Sequence, residues 1–218
     1  MTTKIYIILG LPGAGKGVCA QALKKHKNFI HLSCGEYLRR QVRQRTALGI
    51  SYQDDIDSGT KLLPCEVIWS IVKQEATQAI DNNNNIVIDG FPRTEKQLVF
   101  FKEFAVEKLI TPKYIYFDVD EELAIKRLLT RQTCSECSHD YIMTKESKIV
   151  CDICRGKLLI RNTDNKETLL KRIKLFYQTT GKVLSILKQL QELICLDTNQ
   201  DLDLLVENFL ILQDKDFK

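Results

Sequence analysis

The hydrophobic pattern along the chain alternates short unbroken apolar runs with longer segments in which apolar residues recur at helical spacing. Runs at 4–9, 29–32, 86–88, 113–119 and 193–196 are dominated by consecutive apolar positions, the pattern of strands covered on both faces. Between 64 and 82, Ile68, Ile71, Val72, Ala76, Ala79 and Ile80 recur at three- and four-residue intervals. That spacing predicts a helix with one apolar face, bounded by Pro64 and by the asparagines at 82–85. Strands alternating with helices predict βαβ units and an α/β fold with a five-stranded parallel sheet between helical layers. In such sheets ligands bind beyond the carboxyl ends of the strands.

Two stretches interrupt the alternation. Residues 35–63 are polar and rich in helix formers, with little core material, and residues 132–163 hold a cysteine cluster. Each is expected to be an excursion from the core, able to move relative to it. No internal repeat is visible.

Composition adds limits rather than an answer. A chain of 218 residues suits one large domain or a core with small insertions, and 44% apolar with 28% charged residues is ordinary for a soluble protein. The net charge of +4 suits an anionic ligand without indicating nucleic acid. The first ten residues hold an apolar run of five before a glycine-rich turn, too short for a signal peptide. Nothing approaches the ~20 apolar residues of a membrane span. A cytoplasmic monomer is expected, with neither membrane nor nucleic-acid partners.

Of the eight cysteines, Cys134, Cys137, Cys151 and Cys154 form two C-x-x-C pairs, whereas Cys19, Cys34, Cys65 and Cys195 are scattered among apolar neighbours. In a reducing compartment the scattered four read as small buried hydrophobes. The cluster, C-x2-C-x13-C-x2-C, has the spacing of a closed tetrahedral site for zinc or another metal such as iron. A disulfide pair or an empty remnant are the plainer alternatives.

The stretch GLPGAGKGV at 10–18 follows the first apolar run and nearly spells the phosphate loop G-x-x-x-x-G-K-[ST]. A glycine-rich turn from strand to helix aims several backbone N–H groups at one point, where the helix dipole favours an anion, and Lys16 would reach terminal phosphates. The stretch DGFPRTEKQ at 89–97 follows the third run. Asp89 at a strand end is suited to hold Mg²⁺ through water. Arg93 and Gln97 would share a face of a helix starting after Pro92, offering a phosphate clamp and an amide for a base edge. On their own, an Arg and a Gln on a surface helix are ordinarily just solvated.

Together these stretches resemble the adenylate kinases, of the nucleoside monophosphate kinase family, in the long form with a zinc-binding lid. That family's loop, G-x-P-G-[SA]-G-K-G-T, is matched except at Val18; DGFPRT is specific to it, and the resemblance covers nearly the whole chain. The resemblance implies a P-loop core of residues 1–32, 64–131 and 164–218, a helical NMP-binding insertion at 33–63 and a lid at 132–163. It implies reversible transfer of the terminal phosphoryl group of MgATP to AMP.

The same resemblance assigns Gly13, Ala14, Gly15, Lys16, Gly17 and Val18 to ATP. HLSCGEYLRR, at 31–40, implies that Ser33, Cys34 and the phosphate-gripping Arg39 face AMP, as do Gly90, Arg93 and Gln97. LAIKRLLTRQ supplies Arg127 for the donor adenine and Arg131 for donor phosphates, four apart and expected on one helical face. Arg161 and Arg172 keep the eleven-residue spacing of the family's R-x-D-D-x7-R; they close over the transferring group and also touch AMP. Lys16, Arg93, Arg131, Arg161 and Arg172 are thus the expected catalytic set.

Three departures stand out beyond Val18. The first aspartate of R-x-D-D is Thr163, which is expected to change how the lid is held, although Asp164 is kept. Cys34 and Glu36 replace the usual Thr and Asp on the acceptor side, as in UMP/CMP kinases, leaving a pyrimidine acceptor as the competing reading; Thr94 and Gln97 speak for AMP. A non-catalytic nucleotide sensor or RNA binder is the reading from another class. Its weakness is that the basic residues fall on two phosphate sites rather than on a stripe with interleaved aromatics.

Overall fold

The computed structural model describes residues 3–25, 29–143 and 149–215. In chain order the elements are β1 (Ile5–Gly10), α1 (Lys16–Lys24), β2 (Phe29–Ser33), α2 (Cys34–Arg43), α3 (Ala47–Ser51), α4 (Gln53–Ser58), α5 (Cys65–Asp81), β3 (Asn85–Asp89) and α6 (Glu95–Glu107). They continue with β4 (Lys113–Asp118), α7 (Glu121–Leu129), β5 (Arg131–Cys134), β6 (Asp140–Ile142), β7 (Leu158–Leu159), α8 (Lys166–Gln178), α9 (Thr180–Gln189), β8 (Leu193–Asp197) and α10 (Leu202–Lys215). All five apolar runs became strands of one parallel sheet, in the order β2-β3-β1-β4-β8.

Every residue of β1 is buried because both faces of the sheet are covered. Ile5, Ile7 and Leu9 pack with α5, α6 and α9 through residues such as Val72, Phe101 and Val183. Tyr6 and Ile8 point the other way, toward Ala20 of α1, Ile173 of α8 and Phe209 of α10. Full burial of each such Leu, Ile or Phe side chain contributes roughly 1.5–3 kcal/mol. This double layer fixes the strand ends from which the phosphate loop and Asp89 project.

Two expectations change here. The 35–63 segment has more core than its polar composition suggests: Leu38 and Leu63 are buried, and Leu48, Tyr52 and Ile56 pack against the same cluster. Three short helices each donate one or two apolar side chains, so no helical stripe long enough to notice develops. Among the scattered cysteines, Cys19 and Cys34 are buried, but Cys65 is only half-buried and Cys195, on edge strand β8, is exposed.

The cysteine segment folds as a separate antiparallel ribbon, β6-β5-β7. Its core consists of Cys134, Cys151 and Leu158 with Tyr141 against them. Residues 144–148 of this expected lid lie outside the described residues. Among the described residues, no helix is long and apolar enough to cross a membrane.

Candidate active site

β1 ends in the glycine-rich turn, and its conformation needs glycine. Gly13 has φ +92°, and a β-carbon there would lie 2.4 Å from the Ala124 carbonyl oxygen. Gly15, at φ +89°, is the N-cap of α1 and provides no side-chain cap, leaving first-turn amides available to an anion. Lys16 opens α1 and donates to the carbonyls of Gly10 at 2.9 Å and Leu11 at 2.8 Å. Burial pulls its ammonium down to about 8; Asp89 opposes the fall, while Arg93, Arg172 and Arg131 add to it. Asp89 ends β3, in register with Ile8 of β1 and Ser33 of β2.

Among the residues expected on the acceptor side, Ser33 caps α2 by accepting from the Glu36 N–H at 3.4 Å. Arg39, one turn further on, donates through Nε and Nη2 to Glu36 Oε2 at 3.3 and 3.1 Å. Arg93 donates through Nε to the Gly90 carbonyl at 3.1 Å. Arg93 and Gln97 do not share a helix face. Thr94 caps α6 by accepting from the Gln97 N–H, so Arg93 lies before the helix and Gln97 in its first turn. Gln97 is buried, and its Oε1 accepts the Arg93 backbone N–H at 2.7 Å.

Arg127 and Arg131 are not on one helical face either, because α7 ends at Leu129 and the chain turns into β5 at Arg131. Arg127 is buried. Its Nη2 donates to the carbonyls of Thr198 at 3.0 Å and Gln200 at 2.6 Å, which anchors its guanidinium at the wall of the cleft. Arg131 makes a paired contact with Asp164, Nε to Oδ2 and Nη2 to Oδ1, both at 2.8 Å. Arg172 reaches the same carboxylate at 3.4 Å. Arg161 instead turns to the ribbon, donating to Thr133 Oγ1 at 2.8 Å and Asp140 Oδ1 at 2.7 Å.

These groups surround one cleft of about 710 Å³, within the range of small-molecule sites. Of the expected nucleotide-site residues, Ala14, Cys34 and Gln97 lie behind its wall and the others line it. Burial, then mutual repulsion, pulls Arg161 and Arg172 below the ordinary arginine range; Arg131 and Arg39 act on the first, Arg131, Arg93 and Arg161 on the second. Both stay cationic near neutral pH. Cations held this close, with few carboxylates among them, form a site that an oligo-anion would relax.

The four cluster cysteines bring their Sγ atoms within 4.8 Å of one another. Cys134–Cys154 and Cys137–Cys151 are 3.4 and 3.6 Å apart, close to the ~3.8 Å edge of a tetrahedron of Zn–S bonds. The two C-x-x-C turns repeat one geometry. In the first, Cys134 N–H donates to the His139 carbonyl and Ser138 N–H to the Cys134 carbonyl; in the second, Cys151 donates to Gly156 and Arg155 to Cys151. Ser138 and Arg155, each following a second cysteine, have φ +59° and +64°. The four thiols therefore fit a tetrahedral metal, and zinc suits them.

A phosphate loop heading a parallel sheet, faced by arginines from two excursions, defines a nucleoside monophosphate kinase. The family model described as Adenylate kinase matches residues 8–192. The chain is 34% identical over 206 residues to an adenylate kinase of Clostridium tetani, covering 93% of this chain and 94% of that protein. It is 33% identical over 205 residues to one of Chlamydia felis, covering 94% and 95%, and 31% identical over 208 residues to one of Thermosipho melanesiensis, covering 94% and 96%. The chain belongs to the adenylate kinase family.

Three residues escaped the sequence reading: Asp140, Thr133 and Ser138. Each stands in or beside a cysteine turn, where the metal spacing explains the pattern and leaves no signal for a second role.

Proposed function

We propose that this protein catalyses MgATP + AMP ⇌ 2 ADP, with a core of residues 1–32, 64–131 and 164–218, an acceptor insertion at 33–63 and a lid at 132–163. The observation that carries the reading is the cluster of cations around one cleft: Lys16 within electrostatic reach of Arg93, Arg131 and Arg172, and Arg161 within reach of Arg39 and Arg131. In this reading the loop, Lys16 and Arg131 hold donor phosphates, Arg39 and Arg93 hold the acceptor phosphate, and Arg161 and Arg172 close on the group in transit.

The acceptor oxygen is already anionic, so no general base is needed. Positioning and charge neutralisation lower the barrier, and the lid excludes water that would otherwise take the phosphoryl group. Mg²⁺ supplies further neutralisation when bound; Asp89, beside Lys16 at the head of β3, would hold it through water. Zinc in the four thiolates would fold a ribbon whose own core is too small to fold it.

AMP is favoured over a pyrimidine. Cys34 is buried behind the cleft wall, and Glu36 is occupied by Arg39, Arg43 and Ser138, so neither departure is free to select a base. Parallel turnover measurements with ATP and AMP, CMP, UMP or GMP test the assignment. AMP should be the fastest acceptor, and an AMP rate far below that of CMP would sink it.

A further inference from the structure

The family pattern R-x-D-D places a carboxylate at position 163, where this chain has Thr163. The Thr163 side chain faces the acceptor insertion: a β-carbon on Gly59 would lie 3.1 Å from its Cγ2. Arg161 nevertheless has a carboxylate, drawn from another strand. Thr133 and Asp140 stand opposite each other on β5 and β6, and Thr133 Oγ1 donates to Asp140 Oδ1 at 2.6 Å. Arg161 closes the triangle through Nε to Thr133 Oγ1 and Nη2 to Asp140 Oδ1, at 2.8 and 2.7 Å. The other carboxylate oxygen, Oδ2, is 3.6 Å from Nη1 of Arg131.

Two carboxylates thus order three arginines. Asp164 holds Arg131 and Arg172, and Asp140 holds Arg161 and bridges to Arg131. With Asp140 neutral, Arg161 and Arg131 would face each other's charge, with Asp164 the one carboxylate left in contact with the trio among the described residues. Arg161 would then keep neutral contacts, such as the Thr133 hydroxyl, and lose its charged one. We propose that Asp140 is a positioning residue for phosphoryl transfer, replacing from the ribbon the carboxylate missing at position 163 and aiming Arg161 and Arg131 at the group in transit. This rests on reading those arginines as phosphate ligands.

The test compares Asp140→Asn, Thr163→Asp and the double variant in steady-state turnover of ATP with AMP. Metal content and thermal midpoint are measured on each protein. Asparagine keeps the shape and one acceptor but removes the charge. The expected result for Asp140→Asn is a fall in kcat of about tenfold or more, with both KM values moving less than about threefold. Metal content and midpoint should stay at the parent values. Adding Thr163→Asp to Asp140→Asn should restore at least about threefold of the lost kcat, because it returns the carboxylate that the family pattern carries two residues after Arg161.

A kcat for Asp140→Asn within twofold of the parent would overturn the proposal. So would a loss that tracks metal content or melting and resists rescue, which would make Asp140 a scaffold of the ribbon. Arg161→Ala separates the underlying reading: if it leaves kcat unchanged, Arg161 is no phosphate ligand, and the proposal falls for that reason rather than because Asp140 fails to hold it.

Discussion

Ser138 donates its hydroxyl to Glu36 Oε1 at 2.6 Å, joining the first cysteine turn to α2 across 102 residues of chain. Arg43 completes the contact, donating to the same oxygen at 2.6 Å and to Ser138 Oγ at 3.2 Å. Burial pushes the Glu36 carboxyl up, but Ser138, Arg39 and Arg43 outweigh it and leave the group below its ordinary value. Glu36 also holds Arg39, so the contact links the cysteine ribbon to the residue proposed to grip the acceptor phosphate.

Removing that tie should weaken the acceptor more than the donor. Ser138→Ala should raise the AMP KM about tenfold, on the scale of one hydrogen bond to a charged group, about 1.5 kcal/mol, with ATP KM nearly unchanged. A double-mutant cycle with Glu36→Gln measures the coupling; strictly additive effects would show that the contact contributes nothing to closure.

If Lys16 holds donor phosphates as proposed, its depressed ammonium should set an alkaline limit on donor binding. Below about 8 the free enzyme carries the cation that phosphates need, and above it the cation is lost. kcat/KM for ATP should therefore fall as pH rises through about 8, since that ratio reports the free enzyme. The stability term has the opposite sign. Between about 8 and the unfolded value of 10.5 the unfolded chain holds the proton that the folded one has released, so this group's contribution to stability rises with pH across that window. A flat kcat/KM profile to pH 9.5 would show that Lys16 keeps its proton well above about 8 in the free enzyme.

The loop's glycines have steric roles that can be checked apart from activity. Gly13→Ala would drive a β-carbon into the Ala124 carbonyl at a backbone angle that side chains avoid. A cost of about 1–3 kcal/mol should lower the thermal midpoint by about 5 °C, measured by calorimetry. A midpoint equal to that of the parent would mean that the loop and α7 move apart freely.

Val18, where the family has threonine, is half-buried at the cleft wall in the first turn of α1. The N–H cradle and Lys16 do not depend on its side chain. Val18→Thr should change ATP KM or kcat by less than tenfold, about 1.4 kcal/mol; a larger gain would mark the loop as impaired.

Metal removal should be local in effect. Purified protein should hold about one tetrahedral metal per chain, and Cys137→Ser should release it. Amide exchange should then speed up over 131–143 and 149–159 and stay slow in the parallel sheet, whose core, among the described residues, shares no side chain with the ribbon's own. Protein that is free of metal yet protected in the ribbon would argue for a remnant site.

The sheet, the phosphate loop and the cysteine site were legible in the chain because each depends on local chemistry. Consecutive apolar residues make a doubly covered strand, glycines make the turn, and two C-x-x-C pairs make a tetrahedron. Where helices begin and end was less legible: Thr94 as cap and Thr130 as terminus separated residue pairs that the four-residue spacing had joined. What only the tertiary structure decided is which charges meet. Asp140 pairs with Arg161, 21 residues away, through strand pairing in the ribbon, and Glu36 of α2 meets Ser138 of the first cysteine turn. Ion pairs and hydrogen bonds between distant segments depend on distance in space, which no periodicity along the chain encodes. For that reason the carboxylate missing at position 163 could be read from the sequence, and its replacement could not.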